Sequence, residues 1–282
     1  MQQECIDLIK KLTKKKHVLL TDRANISIKL CLNLMHDKGV SNVILQDQGG
    51  WITYNQFAKK YNLAVTELTT SYGLVDDFVL LKNISAKINS KHSNSTDNPT
   101  TALLLNSMPA YAYLQDMERI SEFCMSNNLI LINDASGSIG QEEGTKGDLI
   151  FASFGKNKPV DLGHGSFIAT DNKDFYDFLI DVNRFKLTLD YDILHDKLTK
   201  LRQRINKFNE LDNKIKSELN DYDIIHRQKP GFNVIVKYKN DHDLSKIKVY
   251  CEKNKYEFVL CPKYIKVLAQ AISIEVVRLR KR

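Results

Sequence analysis

The stretch that decides the fold is LILINDASGSIGQEEGTKGDLIFASFGKNKPVDLGHGSF, residues 129–167. Two apolar runs within it, LILIND and DLIFASF, have the composition of buried strands. Asp134 ends the first run, whereas Lys156 and Lys158 follow the second and precede a Gly-x-Gly turn. A carboxylate and two lysines at neighbouring strand exits are either solvated loop charges or parts of a site.

Similar apolar runs recur on both sides of this stretch, separated by helix-sized or loop-sized spacers. The seven runs are HVLLT (17–21), NVILQ (42–46), LAVTEL (63–68), TALLLN (101–106), LILIND (129–134), DLIFASF (148–154) and SFIAT (166–170). Being apolar on both faces, they predict a covered, doubly wound α/β fold with a mostly parallel seven-stranded sheet. FVLLKN (78–83) is an additional candidate strand, and the polar segment 87–101 predicts a loop.

The residue composition of the chain changes twice after the last of these runs. We expect a large domain over 1–172, including an N-terminal helix, and charged connecting helices over 173–229. Three apolar runs, GFNVIVKY, YEFVLCP and ISIEVVRL, and a helical segment near 243–255 then predict a small α+β domain over 230–282.

Composition narrows the class of protein. The chain has 282 residues and a formal net charge of +7, but its basic residues are interleaved with acidic ones, which is typical of solvated helix faces. We therefore do not expect a nucleic-acid partner. We expect no signal peptide, no membrane span and a cytoplasmic location. The five scattered cysteines include no CxxC pair, which favours reduced thiols over disulfides or a zinc site.

In an open α/β sheet, ligands bind outside the carboxyl ends of the strands. Residues following the predicted strands there include a carboxylate, a hydroxyl, lysines, an aromatic ring and a helix N-terminus. This set meets the needs of pyridoxal 5′-phosphate (PLP): a lysine for its aldehyde, a carboxylate for its ring nitrogen and backbone N–H groups for its phosphate.

The same stretch resembles the core of the fold-type-I PLP enzymes, most closely the DegT/DnrJ/EryC1/StrS sugar aminotransferase-like group. The shared pattern runs apolar strand, Asp-Ala, Gly-rich turn, Gly-Asp, apolar strand, Ser-Phe, a lysine and a second Gly-rich turn. The order of strands and the Gly-Gly-Trp segment extend the resemblance to about residues 17–170.

The resemblance implies a role for each matched residue. Asp134 would pair with the pyridine nitrogen, and Ser153 would bind the phosphate. The spacing Ser-Phe-x-x-x-Lys selects Lys158 for the Schiff base, with Gly163 five residues further on. The Ser-x-x-Lys spacing of related aminotransferases selects Lys156, which stays the rival. An ordinary turn carboxylate and two loop lysines remain the alternative.

Further residues complete the expected cofactor site. Trp51 or Tyr54 would stack on the ring, or else anchor the core. Arg23 and Ala24 occupy the place of the phosphate-binding turn. Arg278 would bind a substrate carboxylate or belong to a basic surface tail.

The function implied is a PLP-dependent aminotransferase acting through Lys158, with a small-molecule amino donor and a keto or sugar-type acceptor. A homodimer is implied by resemblance alone. Two alternatives stay open: a carbon–sulfur lyase or desulfurase, for which Cys261 would be the nucleophile, and a non-catalytic binding or regulatory protein with the PLP fold.

Overall fold

The computed structural model describes residues 1–90, 100–263 and 266–278. The helices are α1 (Gln2–Thr13), α2 (Ala24–Asp37), α3 (Thr53–Lys60), α4 (Phe78–Ser90), α5 (Met117–Ser126), α6 (Lys173–Val182), α7 (Tyr191–Thr199), α8 (Leu201–Glu218) and α9 (Asp241–Asn254). The strands are β1 (His17–Thr21), β2 (Asn42–Gln46), β3 (Ala64–Leu68), β4 (Thr101–Asn106), β5 (Ile130–Asp134), β6 (Leu149–Ser153), β7 (Ser166–Thr170), β8 (Asn233–Lys237), β9 (Phe258–Leu260) and β10 (Ala271–Glu275).

The first seven strands form one sheet in the order β1-β7-β6-β5-β4-β2-β3. Strand β7 runs antiparallel to both of its neighbours, and the other pairings are parallel. The predicted doubly wound, mostly parallel seven-stranded sheet is therefore confirmed. In this register Asn106 lies beside Asp134, and Asp134 beside Phe151, so three carboxyl ends meet at one edge.

Burial along the strands follows their position in the sheet. Strands β2, β4, β5 and β7 are buried over their whole length, as runs apolar on both faces predict. Strand β3 departs from this expectation, because it lies at the sheet edge and exposes Ala64 and Glu67.

The candidate strand at 78–83 is wrong: these residues belong to helix α4. The Asp77 carboxylate accepts a hydrogen bond from the backbone N–H of Leu80 at 2.8 Å, which stabilises the first helical turn. Leu81 and Ser85 are buried at helical spacing. The predicted loop 87–101 is shorter than expected, because residues 87–90 belong to α4 and Thr101 begins β4. Residues 91–99 lie outside the described residues.

The C-terminal part has the predicted α+β composition, with an antiparallel sheet in the order β8-β10-β9 and helix α9. Its core is continuous with that of the large sheet. Phe154, directly after β6, and Phe167 of β7 share one buried cluster with Phe208 of α8 and Phe232 before β8. Helix α8 thus fixes the small sheet against the edge where the strand ends meet.

Among the described residues, no helix combines the length and the apolar character that a membrane crossing requires.

Candidate active site

A cleft of about 390 Å³ opens at the carboxyl ends of β4, β5 and β6. The residues that line it include Arg23, Ala24, Trp51, Asp134, Ser153, Lys156 and Lys158, all proposed from the sequence. Tyr54 and Cys261, which the sequence also proposed, are not among the lining residues. Asn233 and Glu275, from the small sheet, and Arg278, just after it, also line the cleft. The arrangement brings the predicted residues together, whereas their individual roles stay predictions.

Asp134 ends β5 and presents a buried carboxylate to the cleft, with only 5% of the residue exposed. The backbone N–H of Ser136 donates to Oδ1 at 2.9 Å, and the hydroxyl of Tyr54 donates to Oδ2. Burial raises the pKa of Asp134, and the bonds from Ser136 and Tyr54 oppose that rise. A buried carboxylate of this kind is well suited to a cationic partner.

The two aromatic residues offered for ring stacking have different surroundings. Tyr54 is 3% exposed and packs against Gly50 with its hydroxyl on Asp134, so it supports the carboxylate from beneath. Trp51 is 45% exposed and lines the cleft, and its indole Nε1 donates to the side-chain oxygen of Asn25 at 3.0 Å. Of the two, Trp51 is the ring available to a ligand.

The two lysines also differ in their surroundings. Lys156 is exposed, whereas Lys158 is half-buried. Asn157, between them, has a left-handed backbone (φ 62°), and its N–H donates to the Asp161 carboxylate at 2.7 Å. Lys158 Nζ donates to the hydroxyl of Tyr111 and lies 4.2 Å from the centre of that ring. Lys158 is therefore the lysine held by the protein.

The N-terminus of α2 forms one corner of the cleft. Arg23 precedes the helix in an extended conformation (φ −154°), and Ala24 and Asn25, in the first turn, line the cleft. The first N–H groups of a helix have no partner within it and suit an anion. The Asp22 carboxylate is bonded to Thr188, whose hydroxyl donates at 2.5 Å. That bond lowers the pKa of Asp22, and it directs the carboxylate to Thr188, which does not line the cleft.

Ser153 borders the same cleft at the end of β6. Its backbone N–H donates to the Ser136 hydroxyl at 2.9 Å, and its own hydroxyl oxygen accepts from the Gly155 N–H at 3.1 Å. The hydroxyl proton can still be donated to an anion.

The small sheet contributes residues that sequence reasoning missed. Glu275 is 3% exposed, accepts from the Ser273 hydroxyl at 2.6 Å and pairs with Arg278 at 3.1 Å. Burial raises its pKa, opposed by Ser273, Arg278 and Lys158. Asn233 donates to Glu275 at 3.3 Å. The contacts of Glu275 with Ser273 and Arg278 are local, but the contact with Asn233 joins residues 42 positions apart. No sequence motif predicted that this carboxylate would face the cleft.

Comparisons with known proteins bear on this cleft and its fold. Residues 202–282 match the family model described as the MJ1341 family C-terminal domain. A GDP-perosamine synthase of Escherichia coli O157:H7 is 34% identical over 85 residues, which is 28% of this chain and 23% of that protein. The match thus spans less than a quarter of the length of the curated relative.

Solved structures are similar over nearly the whole chain. A DegT DnrJ EryC1 StrS aminotransferase from Brucella abortus superposes with a TM-score of 0.74 at 12% identity, covering 97% of this chain and 84% of that one. A 3-amino-5-hydroxybenzoic acid synthase gives 0.70 at 12%, covering 99% and 86%. An E. coli GDP-4-keto-6-deoxy-D-mannose-3-dehydratase with bound hydrated PLP gives 0.67 at 16%, covering 94% and 77%.

The fold is that of the fold-type-I PLP enzymes. Within that class, the solved structures that it resembles include a member of the DegT/DnrJ/EryC1/StrS group, which is the resemblance seen in the sequence.

Proposed function

We propose that this protein binds PLP in the cleft and transfers an amino group between a small-molecule donor and a keto or sugar-type acceptor. The observation that carries the proposal is that Asp134 and Lys158 line the same cleft. The carboxylate is buried and the lysine is half-buried, and the positive charge of Lys158 lowers the pKa of Asp134 against the effect of burial.

The residues present fit the cofactor. Asp134 would hold the ring nitrogen, because a buried anion with two hydrogen-bond donors favours a cationic partner. Trp51 would cover a ring face, and Ser153 with the N-terminus of α2 would bind the phosphate. Among the described residues, the side-chain oxygen of Asn233 is buried without a partner, and this residue lines the cleft.

When bound, PLP supplies an electron sink for negative charge that develops at the substrate carbon. The protein's own contribution is positional and acid–base. Lys158 Nζ would hold the cofactor at its aldehyde carbon and would carry protons to and from the substrate carbon. Asp134 would keep the ring nitrogen charged throughout. The walls formed by Trp51 and Glu275 would limit access of water.

A homodimer is part of the proposal, because a fold-type-I site implies a second copy. Trp51, which lines the cleft, and its neighbour Ile52 are 45% and 54% exposed, which leaves apolar surface for such a contact. Light scattering on the purified protein measures the mass directly. A monomer over the working concentration range contradicts this part of the proposal.

A carbon–sulfur lyase of the desulfurase kind is disfavoured by the state of Cys261. The thiol packs against an apolar cluster, and burial raises its pKa to about 12. A thiol with such a pKa is protonated at neutral pH and is a weak nucleophile. Cys261 is also not among the residues that line the cleft.

The test is covalent capture of the cofactor. Purified protein is mixed with PLP, reduced with borohydride and digested, and the modified peptide is identified by mass spectrometry. We expect the adduct on Lys158 in the wild type and in Lys156→Ala, and its loss in Lys158→Ala and in Lys158→Met. Circular dichroism checks that each variant is folded.

Each other outcome has a definite meaning. An adduct on Lys156 would move the reactive amine two residues and contradict the assignment. No adduct in the wild type would overturn PLP chemistry and favour a non-catalytic binding protein. With PLP bound, conversion of the cofactor to pyridoxamine phosphate by an amino donor, and its reversal by a keto acceptor, tests amino transfer itself.

A further inference from the structure

Tyr111 makes two contacts with the same amine. Its hydroxyl accepts a hydrogen bond from Lys158 Nζ, and its ring centre lies 4.2 Å from that atom, within cation–π range. The two residues are 47 positions apart in the sequence. Tyr111 also lines the cleft that holds Asp134 and Ser136. One side chain thus holds the lysine by a polar and an aromatic contact at once.

The backbone that carries Tyr111 is strained. Ala110 and Tyr111 are consecutive non-glycine residues in the left-handed region, with φ of 54° and 58°. Such a conformation costs about 1–3 kcal/mol for each residue and persists only where the surroundings impose it. Left-handed alanine and tyrosine side by side therefore require contacts that hold both residues in place.

The structure supplies those contacts from two sides. On the side of the large sheet, the Ala110 N–H donates to the Gly49 carbonyl at 3.1 Å. On the side of the small sheet, the Asn233 side chain donates to the Ala110 carbonyl at 3.1 Å, and the Phe232 N–H donates to the Tyr111 carbonyl at 2.8 Å. The turn is therefore fixed independently of the Lys158 contact.

Gly49 allows the Pro109–Tyr111 turn to pack closely against the backbone of the large domain. It has φ 71°, and a Cβ atom at this position would lie 2.5 Å from the Cβ of Pro109. A side chain there would push the Pro109–Tyr111 turn away from the cleft. The sequence thus combines a glycine, a proline and two left-handed residues to place one phenol.

The electrostatic surroundings keep that phenol neutral. Burial raises the pKa of Tyr111, although the charge of Lys158 acts in the opposite direction. A neutral hydroxyl accepts from the Lys158 ammonium through its oxygen and retains one proton of its own. The contact therefore works as a neutral acceptor for a cation and does not form an ion pair.

We propose that Tyr111 is a positioning residue that holds the Lys158 amine at the floor of the cleft, a role that rests on the proposed function. A lysine side chain has four rotatable bonds and otherwise samples solvent-directed rotamers. Tyr111 keeps Nζ at the cleft, where the amine would be available to the cofactor aldehyde. The strained backbone at Ala110 and Tyr111 fixes the position of Tyr111 itself.

The first experiment reads the contact in the cofactor-free protein. An amine-selective acylating reagent is added to the wild type and to Tyr111→Phe, and the labelling rates of Lys158 and Lys156 are measured by peptide mass spectrometry. The variant keeps the ring but loses the hydroxyl. We expect Lys158 to label about 5-fold faster relative to Lys156, because a hydrogen bond to a charged group no longer restrains the amine.

Tyr113→Phe is the matched control. The Tyr113 hydroxyl also makes a buried hydrogen bond, to the carbonyl of Tyr72, but Tyr113 does not line the cleft. We expect its ratio of Lys158 to Lys156 labelling to equal that of the wild type. An unchanged ratio in Tyr111→Phe, or an equal change in both variants, overturns the proposal.

The second experiment follows the rate of PLP capture by borohydride trapping at timed intervals. We expect slower capture in Tyr111→Phe and a greater loss in Tyr111→Leu, which lacks both contacts, with Tyr113→Phe unaffected. If the wild type captures no PLP, the proposed function fails, and the role of Tyr111 fails with it. Normal capture by the wild type with equally fast capture by Tyr111→Phe overturns only the role of Tyr111.

Discussion

The hydroxyl of Tyr54, in the first turn of α3, donates a hydrogen bond to Oδ2 of Asp134, at the end of β5. The two residues are 80 positions apart, and both are buried. Helix α3 thus supports one oxygen of the carboxylate, and the Ser136 N–H donates to the other, Oδ1. Together the two donors lower a pKa that burial alone would raise further.

Replacing Tyr54 by phenylalanine tests this support. Loss of the donor raises the pKa of Asp134, so that the carboxyl is protonated at a higher pH and no longer counters a cationic ring nitrogen. We expect PLP affinity to fall first on the acidic side, with the half-loss point moving upward by about one pH unit. PLP binding measured at a series of pH values gives the pH at which half of the affinity is lost. Tyr61→Phe, which changes a tyrosine directly after α3, is the control. Coincident pH profiles for Tyr54→Phe and the wild type would contradict the prediction.

Trp51 offers a direct optical test of the cleft, since it is the only tryptophan in the chain. It lines the cleft, and Lys158 Nζ lies 5.9 Å from its ring. We expect PLP to quench the tryptophan emission, with saturation at the stoichiometry of covalent capture. Pyridoxal, which lacks the phosphate, serves as the weaker-binding control. Emission unchanged by saturating PLP would place the cofactor elsewhere.

Replacement of Gly231 tests the packing between the segment before β8 and the backbone of Ala112. A Cβ atom there would lie 1.9 Å from the Ala112 carbonyl oxygen, a backbone atom that cannot rotate away. We expect Gly231→Ala to lower the free energy of unfolding by about 3 kcal/mol, through overpacking. It would also displace the turn that carries Tyr111.

Gly39→Ala is the comparison for this packing effect. Gly39 has φ 77° but nothing within 4 Å of its added Cβ, so only backbone strain applies. We expect a loss of about 1 kcal/mol there, measured in both variants by urea unfolding. Equal losses in the two variants would show that the Ala112 contact is not the cause.

A buried ion pair on α8 gives a pH prediction. Lys216 Nζ lies 2.7 Å from Oδ2 of Asp212, and burial raises the pKa of Asp212 from 3.8 to about 6 although Lys216 lowers it. The folded state therefore binds more protons than the unfolded state between these values, so the free energy of unfolding falls as the pH rises through this window. The expected fall is roughly 3 kcal/mol relative to Asp212→Asn.

Urea unfolding at a series of pH values measures the difference between the wild type and Asp212→Asn. Lys216→Met removes the cation that lowers the pKa, so the fall should extend to higher pH in that variant. Parallel curves for the wild type and Asp212→Asn would contradict the assigned pKa.

The strands of the large sheet were predictable because each interior strand is buried on both faces and therefore carries an unbroken apolar run. The same rule failed at 78–83, where a short apolar run fits a strand and a buried helix turn equally well. The Asp77 cap and the helically spaced burial of Leu81 and Ser85 favoured the helix. The apolar run at 63–68 correctly predicted strand β3, but it did not predict that this strand lies at the sheet edge and is partly exposed.

By itself, the sequence determined which residues follow the strand ends, and hence that Asp134, Ser153 and the two lysines would lie at one edge of a sheet. Local spacing suffices for this, because strand length and turn chemistry act over a few residues. Only the tertiary structure decided that Lys158 is held and Lys156 exposed, that Tyr54 supports Asp134, and that Tyr111 and Glu275 face the cleft. These depend on burial and side-chain direction, which are set when distant segments pack together.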